Sequence, residues 1–400
     1  MGAATIDEIR PAIRHLGPRY YAPSVLATTG TMMLVPTLPL YLGEQTDSLT
    51  LVTVVLAAAA VGGVMGNIPS GMVVGRFGER AGFLGGILLS AIGTAGLALS
   101  SGVWLPFAAC VVAGVGQASR MLARQSHARR VVGVGIRGRI MSLYGGLGRL
   151  AMLCGPLLGG FLGESIGFQA TFGVAAGFIA AALVPALVVG AGTEGAPSPT
   201  ERPERLGLAA LLRTHGRIIG VAGLGQLGFS LVRVGRLTVI PLYGESIGLD
   251  LSDVGVIVAI AGGLDLVLFP VAGWIMDRFG RLNAILPSFL FMALGLFILP
   301  FADTFKGLAA AALLVGFGNG IGSGTMLTLT TDLAPARNPA EFISVLRILA
   351  DSGRILGPLM VGVVADRIDL GASSVALGVV GLMTALLFAV AIGETRHGDF

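Results

Sequence analysis

Seven ionisable residues sit inside long apolar stretches of the chain: Arg149, Arg233, Arg236, Asp265, Arg347, Asp351 and Arg354. A charge near the middle of a membrane-spanning helix costs about 2.5–3.5 kcal/mol on insertion scales, so such residues are functional candidates by default. Five of the seven are positive and two negative, a surplus that an anion or the electronegative part of a substrate would balance. Arg347, Asp351 and Arg354 follow one another at spacings of four and three, which puts them on one helical face where they can neutralise each other locally. Arg233 and Arg236 lie in "FSLVRVGRLTVIPLY", residues 229–243, with no acid in the same stretch. Two readings are open for this pair. Arg236, nearer the end of its stretch, can snorkel to the surface; or both arginines bind substrate or hold Asp265 ionised. Asp265, in "AIAGGLDLVLF", is the first candidate for a proton carrier and Asp351 the second. Removal from water favours the neutral carboxyl, and an approaching arginine favours the ionised one. Gln117, Gln226 and Asn319 could line a path or simply join helices by hydrogen bonds.

The chain that must hold these groups is 54% hydrophobic and only 12% charged, with 63 glycines among 400 residues and a mean hydropathy of +0.86. A soluble domain does not show this balance. Apolar stretches long enough to cross about 30 Å of hydrocarbon recur at 20–42, 50–74, 81–101, 103–126, 139–163, 167–191, 216–243, 252–274, 282–301, 306–330, 340–364 and 371–392. Their continuity predicts twelve transmembrane helices, because the strands of a barrel would alternate apolar and polar residues. Arg10, Arg14, Arg19, Arg76, Arg80, Arg129, Arg130, Arg202 and Arg205 cluster on one set of connections, and Glu44, Asp47, Glu164, Glu245 and Asp250 on the other. The positive-inside rule then puts both termini in the cytoplasm. This placement accounts for the net charge of +4 without nucleic acid. His15, His127, His215 and His397 form no metal spacing, and Cys110 and Cys154 are isolated within spans, so neither a metal, a cofactor nor an enzyme is expected.

Shifting the sequence by 202 positions aligns Pro39-Leu40-Tyr41 with Pro241-Leu242-Tyr243, Arg76-Phe77-Gly78 with Arg278-Phe279-Gly280, and Gly155-Pro156-Leu157 with Gly357-Pro358-Leu359. One offset, without a gap, predicts two parallel six-helix repeats related by an axis along the membrane normal. The polar, proline-bearing "GTEGAPSPTERPERLG" separates them. The expected organisation is an N-terminal six-helix bundle at 1–191, a cytoplasmic linker at 192–215 and a C-terminal six-helix bundle at 216–400.

Two parallel six-helix repeats with these loops resemble the major facilitator superfamily of secondary transporters over nearly the whole chain. "GMVVGRFGER", with Gly71, Arg76, Gly78 and Arg80, looks like the family's loop motif after the second helix, and "GWIMDRFGR", with Gly273, Asp277, Arg278, Gly280 and Arg281, looks like its second copy. The resemblance implies a conformational lock; the plainer reading is that these arginines only obey the positive-inside rule. Gly75 replaces the usual aspartate of the first copy, which would weaken the lock there. "GPLLGG", with Gly155, Pro156, Gly159 and Gly160, looks like the motif of the antiporters in this superfamily, the drug and proton exchangers above all. Small-residue packing is the alternative. Two departures matter: Cys110 stands where those exchangers usually carry an arginine, and Tyr20 to Tyr41 contains no acid. Their coupling residues therefore do not transfer.

What the resemblance implies is the major facilitator fold, with an all-α integral membrane chain working by alternating access in proton-coupled efflux of small organic compounds. The alternative is a proton-coupled or exchange transporter for organic anions held by Arg149, Arg233, Arg236, Arg347 and Arg354. The expected partners are a small-molecule substrate, protons and the lipid bilayer of a bacterial cytoplasmic membrane, with the monomer as the working form.

Overall fold

Among lipid tails every backbone amide needs an internal partner, and a helix supplies it within one segment. In the computed structural model, which describes residues 20–131, 134–188, 208–335 and 339–391, all regular elements are accordingly helical. They are α1 (Ala22–Gly43), α2 (Leu49–Ala98), α3 (Trp104–Val131), α4 (Val134–Ile166), α5 (Phe168–Ala181), α6 (Leu183–Val188), α7 (Leu208–Ser246), α8 (Leu251–Phe279), α9 (Leu282–Ile298), α10 (Phe305–Ile321), α11 (Thr325–Asp332), α12 (Pro339–Arg367) and α13 (Leu370–Ala391).

Ten of the described helical segments are long and apolar enough to cross a membrane. The longest is α2, whose 50 residues would reach about 75 Å if straight, more than two membrane thicknesses. It breaks at Gly78, where φ is 87° and ψ 168°, a conformation open essentially to glycine alone. Counting α2 as two crossings and adding the shorter apolar α10 agrees with the twelve predicted. The tenth predicted span, 306–330, is interrupted: α10 stops at Ile321, Gly324 takes a left-handed φ of 87°, and α11 begins at Thr325.

The helices form two compact units: Met1–Thr46 with Ala58–Pro199, and Asp47–Ala57 with Thr200–Phe400. The first turns of α2 thus group with the second unit, where Asp366 of α12 accepts hydrogen bonds from the Leu49 and Thr50 amides at 2.7 and 2.9 Å. Residues 192–207 of the predicted linker lie outside the described residues.

Each unit is packed through the same glycines. In the first, Gly155 of α4 lies on α1, where an added Cβ would come within 2.9 Å of the Thr29 carbonyl. In the second, Gly357 of α12 lies on α7, where a Cβ would come within 2.6 Å of the Leu231 carbonyl. Gly114 packs on Ala59 as Gly316 packs on Ala261, and Gly116 on Ser90 as Gly318 on Met292. Every one of these pairs is displaced by the 202 positions of the sequence repeat. Gly78 and Gly280, also equivalent, share positive φ values of 87° and 101°. Small residues at these sites allow close backbone approach, which matters where lipid gives no hydrophobic drive for helices to associate.

Candidate functional site

The break between α10 and α11 sits beside the one fully buried acid among the described residues. Glycines at 316, 318, 320, 322 and 324 make this stretch a poor helix and let it approach its neighbours. A Cβ on Gly320 would fall 2.8 Å from that of Leu268 on α8, so α10 is pressed against α8 at the level of Asp265. The turn is stabilised by its own bonds, Ser323 N to Gly320 O at 3.1 Å and Thr325 Oγ1 to Gly322 O at 2.7 Å. Irregular backbone at membrane depth needs such internal satisfaction.

Asp265 lies near the middle of the 29-residue α8 and is 0% exposed. The Ser323 hydroxyl donates to its Oδ1 and also reaches the Asn319 carbonyl at 3.1 Å. A hydroxyl donates to an ionised carboxylate and accepts from a protonated one, so Ser323 can follow either state of Asp265. From α7, the Arg233 Nη2 stands 3.9 Å from Oδ2. That is too long for a charge-assisted hydrogen bond of about 2.7–2.9 Å, and the pair is held by charge alone. The Arg233 guanidinium also lies 5.8 Å from the Phe229 ring centroid, within cation–π range.

Arg236, one turn further along α7, is only 1% exposed, which overturns its snorkelling reading. Its Nε and one Nη have no hydrogen-bond partner, and it lies within the electrostatic reach of both Asp265 and Arg233. The three side chains sum to one net positive charge when Asp265 is ionised. Asn319 is equally buried, with both side-chain polar atoms unsatisfied. Gln226 ties α7 to α11 by donating to the Met326 carbonyl at 3.1 Å and the Thr330 hydroxyl at 2.6 Å.

The charged set belongs to the second repeat alone. Displaced by 202 positions, Arg233, Arg236, Asp265 and Ser323 correspond to Thr31, Leu34, Gly63 and Met121. The scaffold is duplicated and its chemistry is not.

Of the other candidates, Asp351, Arg354 and Arg149 make contacts within their own helices. On α12, Arg354 donates to Asp351 at 3.4 Å across three residues, with the arginine side chain 46% exposed; this is the local neutralisation expected from the spacing. Arg347 is exposed on the same helix. In the first unit Arg149 donates to the Gly145 carbonyl at 2.9 Å, one turn back on α4.

Of the loop motifs, Arg76 lies over the Phe77 ring at 5.5 Å, and Arg80 reaches the Leu187 carbonyl at 3.4 Å. Arg278 lies over Trp274 and Phe279, while Arg281 pairs with Asp332 at 2.9 Å. Gly71 and Gly273 lie inside α2 and α8, seven residues before the positive-φ Gly78 and Gly280, with no crowding that would demand a small residue, and Asp277 is exposed in the last turn of α8. In the "GPLLGG" stretch Gly155 and Gly159 meet α1 at Met32 and Met33, and Pro156 and Gly160 are buried beside them. Packing alone accounts for the two contact glycines.

Sequence reasoning missed Ser323 and the interruption that presents it. The available signal was glycine at every second position from 316 to 324, a pattern that argues against a continuous helix there.

A family model described as the Major Facilitator Superfamily matches residues 24–358 and, in a second match, 222–399. The chain is 26% identical over 336 residues to the multidrug resistance protein MdtH of Edwardsiella ictaluri (strain 93-146), covering 80% of each. It is 27% identical over 366 residues to the MFS-type transporter YdeG of Bacillus subtilis (strain 168), covering 83% of this chain and 81% of that one. Among solved structures, a D-xylose–proton symporter superposes with a TM-score of 0.74 at 16% identity, covering 99% of this chain and all of the other. A POT family transporter in complex with 5-aminolevulinic acid gives 0.75 at 17% identity, with 94% and 96% covered.

Proposed function

The chain belongs to the Major Facilitator Superfamily, and from that premise we propose that it exports small organic compounds in exchange for protons, by alternating access. The observation that carries this reading is Asp265: an acid 0% exposed at the middle of a membrane-spanning helix, held between a hydroxyl on a broken helix and an arginine. Discontinuous helices at membrane depth recur at the binding and coupling sites of secondary transporters. The similarity to a multidrug resistance protein supports small organic compounds as the substrate class.

Charge explains how exchange would arise. With Asp265 ionised the cluster carries one net positive charge, and a bound proton adds a second. A cationic substrate and a proton near Asp265 would each disfavour the other, and mutual exclusion at one site is the condition for exchange rather than co-transport. Arg233, loosely paired at 3.9 Å, can move without breaking a short hydrogen bond. Ser323 holds the carboxyl in place in both states. The arginine-rich end of each unit faces the cytoplasm in this proposal, following the positive-inside rule.

A second reading follows from Arg236, whose buried guanidinium keeps an Nε and an Nη unpartnered. Those donors fit an organic anion, which would make the protein an anion transporter coupled to protons or to a second anion. Everted membrane vesicles given a pH gradient separate the two, using matched lipophilic cations, neutral amphiphiles and organic anions. Gradient-driven movement of cations or neutral amphiphiles, abolished by a protonophore, is expected. Movement of the anions alone would sink the exporter reading and leave the second.

A further inference from the structure

At the arginine-rich end of the second unit, α7 is broken at His215, where φ is −121° and ψ 16°. Beside the break lies a cavity of about 440 Å³, within the range of about 300–1,000 Å³ typical of small-molecule sites. Its walls include Thr214, His215, Arg217, Ile218, Val221 and Leu333. It is separate from the charge cluster, since Arg233 lies 16 residues beyond Arg217 on the same helix, about 24 Å away at about 1.5 Å per residue.

The lining is graded along the helix. Thr214, just before the break, and Arg217, just after it, are exposed; Ile218 follows Arg217 directly, and Val221 lies four residues beyond Arg217, one turn deeper on the same face. A cation and hydroxyl ring therefore caps an apolar wall. The His215 Nδ1 is buried without a hydrogen-bond partner, which leaves one polar atom of this lining unsatisfied. Arg213 is exposed just before the break and Arg278 lies in the last turn of α8, while Arg281 is neutralised by Asp332, the residue before Leu333. Among the described residues that line the cavity none is an acid.

We propose that this cavity binds the headgroup of an anionic phospholipid, with the phosphate at Arg217 and His215 and the glycerol and upper acyl chain along Ile218 and Val221. Basic pockets between membrane helices bind anionic headgroups by charge, and juxtamembrane arginines add to the attraction. A free phosphate would use the polar ring and leave the apolar wall without an occupant; a diacyl lipid uses both. Because the site lies at the break in the helix that carries Arg233 and Arg236, its occupant would also steady the entry of α7 into the membrane.

The test is native mass spectrometry of the full-length protein in detergent, titrated separately with dioleoylphosphatidylglycerol, dioleoylphosphatidylcholine and inorganic phosphate. One phosphatidylglycerol should be retained in preference to phosphatidylcholine, and Arg217→Gln should weaken that binding about fivefold. Val221→Trp, which fills the apolar end and keeps the arginine, should also weaken it, so the outcome does not depend on one variant folding. Equal retention of the two lipids, or undiminished phosphatidylglycerol binding in both variants, would overturn the proposal. So would binding of inorganic phosphate with no lipid preference, which identifies a free-phosphate site.

Discussion

Ser323 bonds directly to the buried acid. Its hydroxyl is the hydrogen-bond donor that the structure places on Asp265 Oδ1, and a buried acceptor left without its donor costs about 1–3 kcal/mol. Ser323→Ala should therefore lower stability by about that amount, while Ser323→Thr, which keeps the hydroxyl, should recover most of it. Thermal unfolding in detergent reads the difference, and equal melting of Ser323→Ala and the parent would show that the bond contributes nothing. At this scale the sequence was informative wherever a charge interrupted an apolar run, because the penalty for burying charge makes Asp265, Arg233 and Arg236 conspicuous. It was silent about Ser323, since a serine in a transmembrane stretch carries no such penalty and becomes significant only through what it touches. The fate of Arg236 was also open in the sequence, because burial and snorkelling differ by where neighbouring helices lie, and only packing decides that.

The broken helix of α10 and α11 is the element that turns a glycine-rich run into a site. Gly324 holds a left-handed φ of 87°, which costs a residue with a Cβ about 1–2 kcal/mol. Gly324→Ala should destabilise the protein by about that much and disturb the presentation of Ser323, so proton-coupled flux should fall more steeply than stability. A Gly324→Asn variant, which tolerates the conformation better, should lie between the two; unfolding and flux that are the same for Gly324→Ala as for the parent would contradict the assigned turn. Most helices were legible as apolar runs of membrane length, and the turn glycines at 78 and 280 as repeated motif positions. The interruption of the tenth span was not legible, because hydropathy stays high through it and records the solvent rather than the backbone path. The continuity of α2 through the loop motif was equally hidden, for a single glycine of positive φ can redirect a chain without a polar connector.

Across the molecule, one scaffold is built twice and one copy carries the charge cluster. Gly155 on α1 and Gly357 on α7 make equivalent close contacts at 2.9 and 2.6 Å from a hypothetical Cβ, so Gly155→Leu and Gly357→Leu should each cost about 1–3 kcal/mol by overpacking. Comparable losses of melting temperature are expected; a loss confined to one variant would show that the two copies are packed differently. The repeat was readable from the constant offset of 202 positions, because contacts that join equivalent helices keep the same small residues in both copies. The asymmetry of chemistry was readable in the same alignment, in Thr31, Leu34 and Gly63 opposite Arg233, Arg236 and Asp265. The central claim is that this single acid couples protons to substrate. It is tested most directly by purified protein in liposomes under an imposed pH gradient, with proton and lipophilic-cation fluxes recorded together for the parent, Asp265→Glu and Asp265→Asn. The account predicts opposed, coupled fluxes in the parent, partial coupling with glutamate, and loss of both gradient-driven fluxes with asparagine; undiminished proton-coupled transport in Asp265→Asn would contradict it.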